Sequence, residues 1–181
     1  MSVRLSAARR AAPLVLLLPL LSACGPERDQ FAPPCPAASV LPPTGDITLY
    51  RPNSSGRDLT DQVLQGKVTG IQGKCQPGDR KSALDAAVTV MFDFSRGPAM
   101  QGNSVNVPVF VAVAEGDHIM DKKVYAVTAS FPPNVDRVHL TSAKVDMRLP
   151  VTASKSGAAY TILAAFQLTP DQLAAARARA R

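Results

Sequence analysis

The sequence of 181 residues has no tryptophan, and aromatic residues make up only 5% of it. Aromatic platforms on which the bases of a single-stranded nucleic acid stack are therefore scarce. There are only two histidines and three cysteines, and their positions show none of the spacings typical of a zinc site. We therefore expect no metal ion and no nucleic-acid partner.

Sequence motifs of common enzymes are also missing. The chain has no phosphate-binding glycine loop of the Walker or dinucleotide type and no Gly-x-Ser-x-Gly element between a strand and a helix. His118, beside a predicted hairpin turn, and His139, in a predicted strand, are candidates for a general base, but a solvated histidine is the more frequent case. We therefore expect a protein that is not an enzyme, and a hydrolase with an unrecognised site is the least favoured alternative.

The N-terminus has the features of an export signal. Arg4, Arg9 and Arg10 precede an apolar run at residues 11–23, which is shorter than the roughly 20 residues that cross a bilayer as a helix. Its length and its charged flank are typical of a secretory signal peptide rather than of a permanent membrane helix. An ordinary signal peptide that happens to have a cysteine near its cleavage site is the alternative.

The residues Leu21-Ser22-Ala23-Cys24 resemble the bacterial lipobox. The resemblance implies that Cys24 receives a diacylglycerol thioether, that residues 1–23 are cleaved, and that the acyl chains anchor the protein in a membrane. Gly25 stands where an aspartate would favour retention in the inner membrane, so the expected place is the outer membrane, facing the periplasm. The lipid on Cys24 is the only covalent group expected, and no cofactor is expected.

The positive charge of the chain lies partly in this signal. Cleavage removes three of the 20 basic residues and none of the 14 acidic ones, which lowers the formal net charge from +6 to +3. A mildly basic periplasmic domain remains, and nucleic acid is not a partner expected in that compartment. The terminal arginines Arg177, Arg179 and Arg181 could contact anionic lipid or polysaccharide, although complementing a helix dipole is the simpler interpretation.

Two cysteines remain if Cys24 carries lipid. In an oxidising compartment, pairing Cys35 with Cys75 leaves no free thiol. The closed loop of 40 positions would stabilise the fold by roughly 4 kcal/mol on the chain-entropy estimate. Two separate free thiols are the less favoured alternative.

Proline density divides the mature chain. Residues 24–45 contain six prolines, which predict an extended tether without helix or sheet, fastened by Cys35. A proline-rich ligand for a recognition domain is the alternative. Residues 46–168 form the predicted folded domain, and residues 169–181 a C-terminal helix.

Alternating apolar residues predict strands in this domain. The strongest patterns lie at residues 84–94, 107–114, 122–131, 137–149 and 160–168, and weaker ones at 46–50 and 62–72. The 107–114 run is apolar on both parities, which predicts a central strand covered on both faces. We expect a mainly β protein, an immunoglobulin-like β-sandwich of about seven strands.

Three local features refine this prediction. The apolar parity of residues 137–149 changes at Thr141-Ser142, which predicts a bulge or strand break there. Thr169-Pro170-Asp171-Gln172 resembles a capping box that starts a helix. Arg96, before Gly97-Pro98 at a strand end, could bind a carboxylate or phosphate, but an arginine that packs its stem and pairs locally, for example with Asp93 or Asp121, is the favoured interpretation.

Several segments together resemble an uncharacterised group of proteobacterial lipoproteins. These are the lipobox, Cys35-Pro36, Asp58-Leu59-Thr60-Asp61, Cys75, Arg96-Gly97-Pro98, residues 109–113, Phe131-Pro132 and Phe166-Gln167-Leu168-Thr169. The resemblance covers nearly the whole mature chain. It implies that the protein belongs to this group and lies in the periplasm, and it indicates no catalytic residue.

The leading functional hypothesis is a lipid-anchored module that binds a partner or has a structural role in the envelope. An exposed edge strand with apolar side chains would favour it. A deep apolar cavity would favour the alternative, a module that binds a small ligand or a glycan. The oligomeric state stays open.

Overall fold

The computed structural model describes residues 34–52, 57–78 and 82–180. Nine strands and one α-helix follow one another along them. Their bounds are β1 Ala37–Val40, β2 Asp46–Tyr50, β3 Gln62–Pro77, β4 Ala83–Arg96, β5 Ser104–Glu115, β6 His118–Ser130, β7 Arg137–Thr141, β8 Val145–Pro150, β9 Tyr160–Phe166 and α1 Pro170–Arg179.

The strands form two packed sheets. The first sheet has the order β1-β9-β5-β6, and the second has the order β2-β3-β4-β7. On the side of β4 that faces away from β3, β7 pairs with residues 91–95 and β8 pairs with residues 83–88. The chain crosses between the sheets from β1 to β2, from β4 to β5, from β6 to β7 and from β8 to β9. The prediction of a mainly β sandwich with a short C-terminal helix is confirmed.

The core lies between the two sheets. The alternating residues of β4, from Leu84 to Phe94, are all buried, as their period of two predicts. Phe92, Phe94 and Phe166 bring their ring centroids within 5.7–6.0 Å of one another, so aromatic packing joins β4 of one sheet to β9 of the other.

The parity change at Thr141-Ser142 is a strand break, as predicted. β7 ends at Thr141 and β8 begins at Val145, and both pair with β4. Between them the Ser142 amide donates to the carbonyl of Val90 at 2.8 Å, and the Ser142 hydroxyl accepts from the Val90 amide at 3.0 Å. The serine side chain therefore replaces the missing strand partner at the break.

The prediction that residues 24–45 contain no sheet is wrong for Ala37–Val40. These four residues form β1, which pairs in parallel with β9 from Ala37↔Thr161 to Val40↔Ala164. The prolines flank this segment rather than interrupt it, and an edge strand needs partners on one side only. With β1 and the division of residues 137–149 into two strands, the count rises from about seven to nine.

The C-terminal helix begins as predicted. The Thr169 hydroxyl accepts from the Gln172 amide at 3.3 Å, and the Gln172 side chain accepts from the Thr169 amide at 2.9 Å. Pro170 occupies the first helical turn, where a missing N–H has no cost. Ala176 is buried and Leu173 is half-buried, so α1 is attached to the domain by one face.

Candidate interaction surface

The predicted lipidation residue Cys24 lies outside the described residues, as do residues 1–23 and Arg181. No helix in the described part of the chain is both long and apolar enough to cross a membrane. In these parts of the chain, no three His, Cys, Asp or Glu side chains come together as a metal site would need.

The disulfide between Cys35 and Cys75 is formed, with the two Cα atoms 5.8 Å apart. Cys75 lies near the end of β3, where it pairs with Ala86 of β4. Cys35 lies two residues before β1. The bridge therefore fixes the start of the domain to the second sheet, while β1 itself belongs to the first sheet.

Strand register places the start of the domain at one end of the first sheet. Ala37 pairs with Thr161 at the start of β9, and the adjacent Tyr160 pairs with Glu115 at the end of β5. Glu115 in turn pairs with His118 at the start of β6. We call this the tether end, defined by Cys35, Tyr160 and the turn between β5 and β6.

β6 is a long edge strand of the first sheet. It pairs with β5 over its whole length of 13 residues, and it has no strand partner on its other side among the described residues. Its most exposed large apolar residues are Ile119 at 56%, Met120 at 58% and Val124 at 55%. Exposed side chains of this kind on an edge are typical of a site where another molecule binds.

The first residues of β6 carry features that protect an edge against pairing with another strand. Met120 is the extra residue of a β-bulge, because Ile119 pairs with Ala114 while Asp121 pairs with the adjacent Val113. The Asp121 carboxylate accepts from the Lys122 amide at 2.8 Å. Lys123 extends across the open side of the sandwich and donates to the carbonyl of Asp146 at 3.3 Å. Molecules that bind here therefore meet side chains rather than free backbone.

The outer face of the first sheet also carries an apolar cluster, separate from the core. Phe110, Ala112 and Ala165 are buried there, and Leu41 and Leu163 pack against them. The Lys122 ammonium lies 4.4 Å from the centroid of the Phe110 ring. Of the run 107–114 that the sequence predicts to be covered on both faces, residues 109–114 are buried on both faces, whereas Pro108 is exposed.

The second sheet carries a charged groove of about 800 Å³. Four cations and two carboxylates line it, namely Lys74, Lys123, Lys144, Arg148, Asp85 and Asp146. Lys144 pairs with Asp146 at 3.1 Å, and the Arg148 guanidinium lies 3.9 Å from Asp85. This groove differs from the deep apolar cavity that would favour a small-ligand module.

The arginines that the sequence indicates as possible anion contacts are Arg96, Arg177, Arg179 and Arg181, and the described ones make separate contacts. Arg96 donates to the carbonyl of Gly102 at 2.9 Å, rather than pairing with Asp93 or Asp121. Arg177 and Arg179 are exposed in the last turn of α1, and Arg179 lines a cavity with residues of β2. β2 pairs with the first residues of β3, so these arginines lie in the half of the domain that is away from the tether end.

The two histidines also lie apart. His118 is exposed at the start of β6. His139 of β7 lies directly opposite Asp93 of β4, with its Nδ1 2.5 Å from the carboxylate. The histidine side chain is 81% exposed, so solvent screens this cross-strand pair, which resembles ordinary sheet pairing.

Searches against protein-family models, curated proteins and solved structures found no match for this chain. The residues that form the exposed surface of β6 were not singled out by the sequence, although residues 122–131 were predicted to be a strand. Strand order decides which strand lies at an edge, and periodicity carries no information about order.

Proposed function

We propose that this protein is a lipid-anchored lipoprotein of the bacterial envelope, held in the outer membrane and facing the periplasm, that binds a partner without catalysis. The exposed edge strand β6 is the observation that carries this proposal. Its apolar side chains lie on a rigid sheet and are continuous with the cluster around Phe110 through the Phe110↔Val124 pair. A long exposed strand of this kind suits recruitment of a protein partner by side-chain contacts.

The formed disulfide supports the expected compartment. Disulfides persist in oxidising compartments such as the periplasm. The bridge also joins Cys35, which lies within the predicted tether, to β3 of the domain, so force on the lipid anchor is transmitted to the sandwich. The membrane contact of this proposal is the acyl group on Cys24.

Acylation is tested by growing cells that express the protein with radiolabelled palmitate. We expect the label to enter the wild-type chain and not the Cys24→Ser chain, which should also keep its signal peptide. Cys35→Ala/Cys75→Ala serves as the matched control, because it removes the other two cysteines and should still be labelled. A wild-type chain without label would contradict the anchor.

Partner binding is tested by placing a photo-crosslinking amino acid at Val124 in intact cells. Gln72, which is exposed on β3 of the other sheet, is the matched control position. We expect one discrete adduct from position 124 and none from position 72. The same adducts from both positions, or only abundant unrelated neighbours from position 124, would contradict a specific partner at β6.

A further inference from the structure

We infer that the tether end contacts the lipid bilayer, with Ile119 and Met120 inserted between the lipid headgroups. This inference rests on the proposed lipid anchor and adds a second membrane contact, made by the folded domain itself. The observations behind it are the position of the tether end, the exposure of the two side chains and the charges around them.

The position of this end follows from the register. Cys35 lies at the start of β1, which is at the same end of the first sheet as the turn between β5 and β6. Only 11 positions separate Cys35 from Cys24, so the greatest distance that a chain of this length can span is about 40 Å. β4, with 14 residues, separates the two ends of the sandwich by about 45 Å. The tether end is therefore the end that stays near the bilayer.

Two exposed apolar residues of β6 lie close to the turn between β5 and β6. Ile119 and Met120 follow the turn directly, and the bulge at Met120 directs its side chain out of the regular alternation of β6. More than half of each side chain is exposed. The exposed apolar pair lies near the turn, and Asp121, Lys122 and Lys123 follow it along β6. Apolar side chains at the end of a domain with charged side chains behind them have the order of groups found across a membrane interface.

The charges at this end are balanced by contacts within the protein. The Lys155 ammonium donates to Glu115 at 2.6 Å, and the hydrogen bond to Glu115 is the main cause of the raised pKa of Lys155. Asp121 accepts from the Lys122 amide. Beside Met120 a cavity of about 250 Å³ opens between β6 and β8, with Lys123 and Arg148 among its lining residues. Lys123 and Arg148 contact Asp146 and Asp85, and the Asp121 carboxylate also lines this cavity, so these cations too are balanced within the protein.

Asp117, in the turn itself, is exposed and opposes attraction to anionic lipid. Insertion of the apolar pair therefore provides most of the affinity, and binding should depend only weakly on the fraction of anionic lipid. This separates the inference from a purely electrostatic contact, which would weaken steeply with salt and vanish on neutral vesicles.

The test places the photo-crosslinking amino acid at Ile119 of the acylated full-length mature protein, reconstituted into vesicles of radiolabelled phosphatidylethanolamine and phosphatidylglycerol. Val124 is the matched control, because it lies on the same strand with equal exposure but five residues farther from the tether end. We expect position 119 to label lipid about tenfold more than position 124. Equal labelling at both positions would overturn the inference, as would an adduct to another copy of the protein without lipid.

A second variant separates this inference from the anchor. Met120→Ser should lower lipid labelling from position 119 about tenfold, because the bulge residue no longer inserts. It should leave palmitate incorporation and sedimentation with the vesicles unchanged. If palmitate never enters the chain, the proposed anchor fails. If palmitate enters but position 119 labels no lipid in vesicles, only the present inference fails.

Discussion

Gly97 lies where the chain leaves β4 and passes close to the backbone of β3. A Cβ atom built on it would collide with the carbonyl group of Gln62, which is backbone and has little freedom to move. The Gly97 amide also donates to the Val63 carbonyl at 2.9 Å. The Arg96-Gly97-Pro98 motif therefore has a packing explanation, in which glycine permits the close approach of two chain segments.

We predict that Gly97→Ala lowers the free energy of unfolding by about 1–3 kcal/mol, the usual cost of overpacking a site that cannot relax. Urea denaturation of the two chains measures the difference. Gly116→Ala is the control, because its added Cβ meets no atom within 4 Å and adds only the strain of a positive φ of 57°. A larger loss for Gly116→Ala than for Gly97→Ala would contradict this account of the motif.

The side chain of Tyr125 places a polar group inside the sandwich. Its hydroxyl is buried and forms no hydrogen bond with the described residues, while the nearby Ser142 hydroxyl is occupied by Val90 and Ala143. Burial is the main cause that raises the pKa of Tyr125 above its ordinary value, and Ser142 offsets part of that rise.

The raised pKa predicts a loss of stability in alkali. Because the unfolded chain releases the Tyr125 proton first, stability from this group is fully present below about pH 10 and falls as the pH rises toward the folded-state pKa. Tyr125→Phe should keep its stability at pH 8 and lose less than the wild type between pH 9.5 and 11. Urea midpoints at each pH measure this, with Tyr50→Phe as the comparison. Equal alkaline losses in wild type and Tyr125→Phe would show that the prediction is wrong.

Among the elements, β1 shows where sequence patterns stop being informative. Residues 84–94 span enough of an alternating pattern to predict β4, whereas β1 has only four residues, and prolines stand close on both sides. Its stability comes from pairing with β9, which is more than 120 positions away. The edge position of β6 has the same origin, since only the pairing of β5 with both β6 and β9 reveals it. Local patterns therefore predicted the strands other than β1, and the cysteine count predicted the disulfide. Neither the order of the strands nor the exposed surface could be predicted in this way.

The disulfide acts at the scale of elements, because it joins the segment before β1 to the end of β3. We predict that Cys35→Ala/Cys75→Ala lowers the free energy of unfolding by about 4 kcal/mol, as expected for a closed loop of 40 positions. Urea denaturation measures the loss, and reduction of the wild-type chain should reproduce it. A double variant with wild-type stability would mean that the bridge does not restrict the unfolded chain.

For the molecule as a whole, the location of the core sets how much of the chain the fold needs. The large cluster of buried core residues between the sheets runs from Ile47 to Phe166. Val40 of β1 is partly buried and packs against this cluster, although the sequence placed the domain boundary after β1, at Asp46. The folded unit therefore includes the disulfide and β1.

Truncation tests this boundary. A chain that starts at Phe31 should unfold at the same urea concentration as unacylated mature protein, because it retains Cys35, β1 and every residue of the core cluster. A chain that starts at Asp46 should lose more stability than Cys35→Ala/Cys75→Ala loses, because it lacks β1 in addition to the bridge and exposes one side of β9. Equal stability of the Asp46 chain and that double variant would mean that β1 contributes nothing, and the domain would then begin where the sequence pattern alone places it.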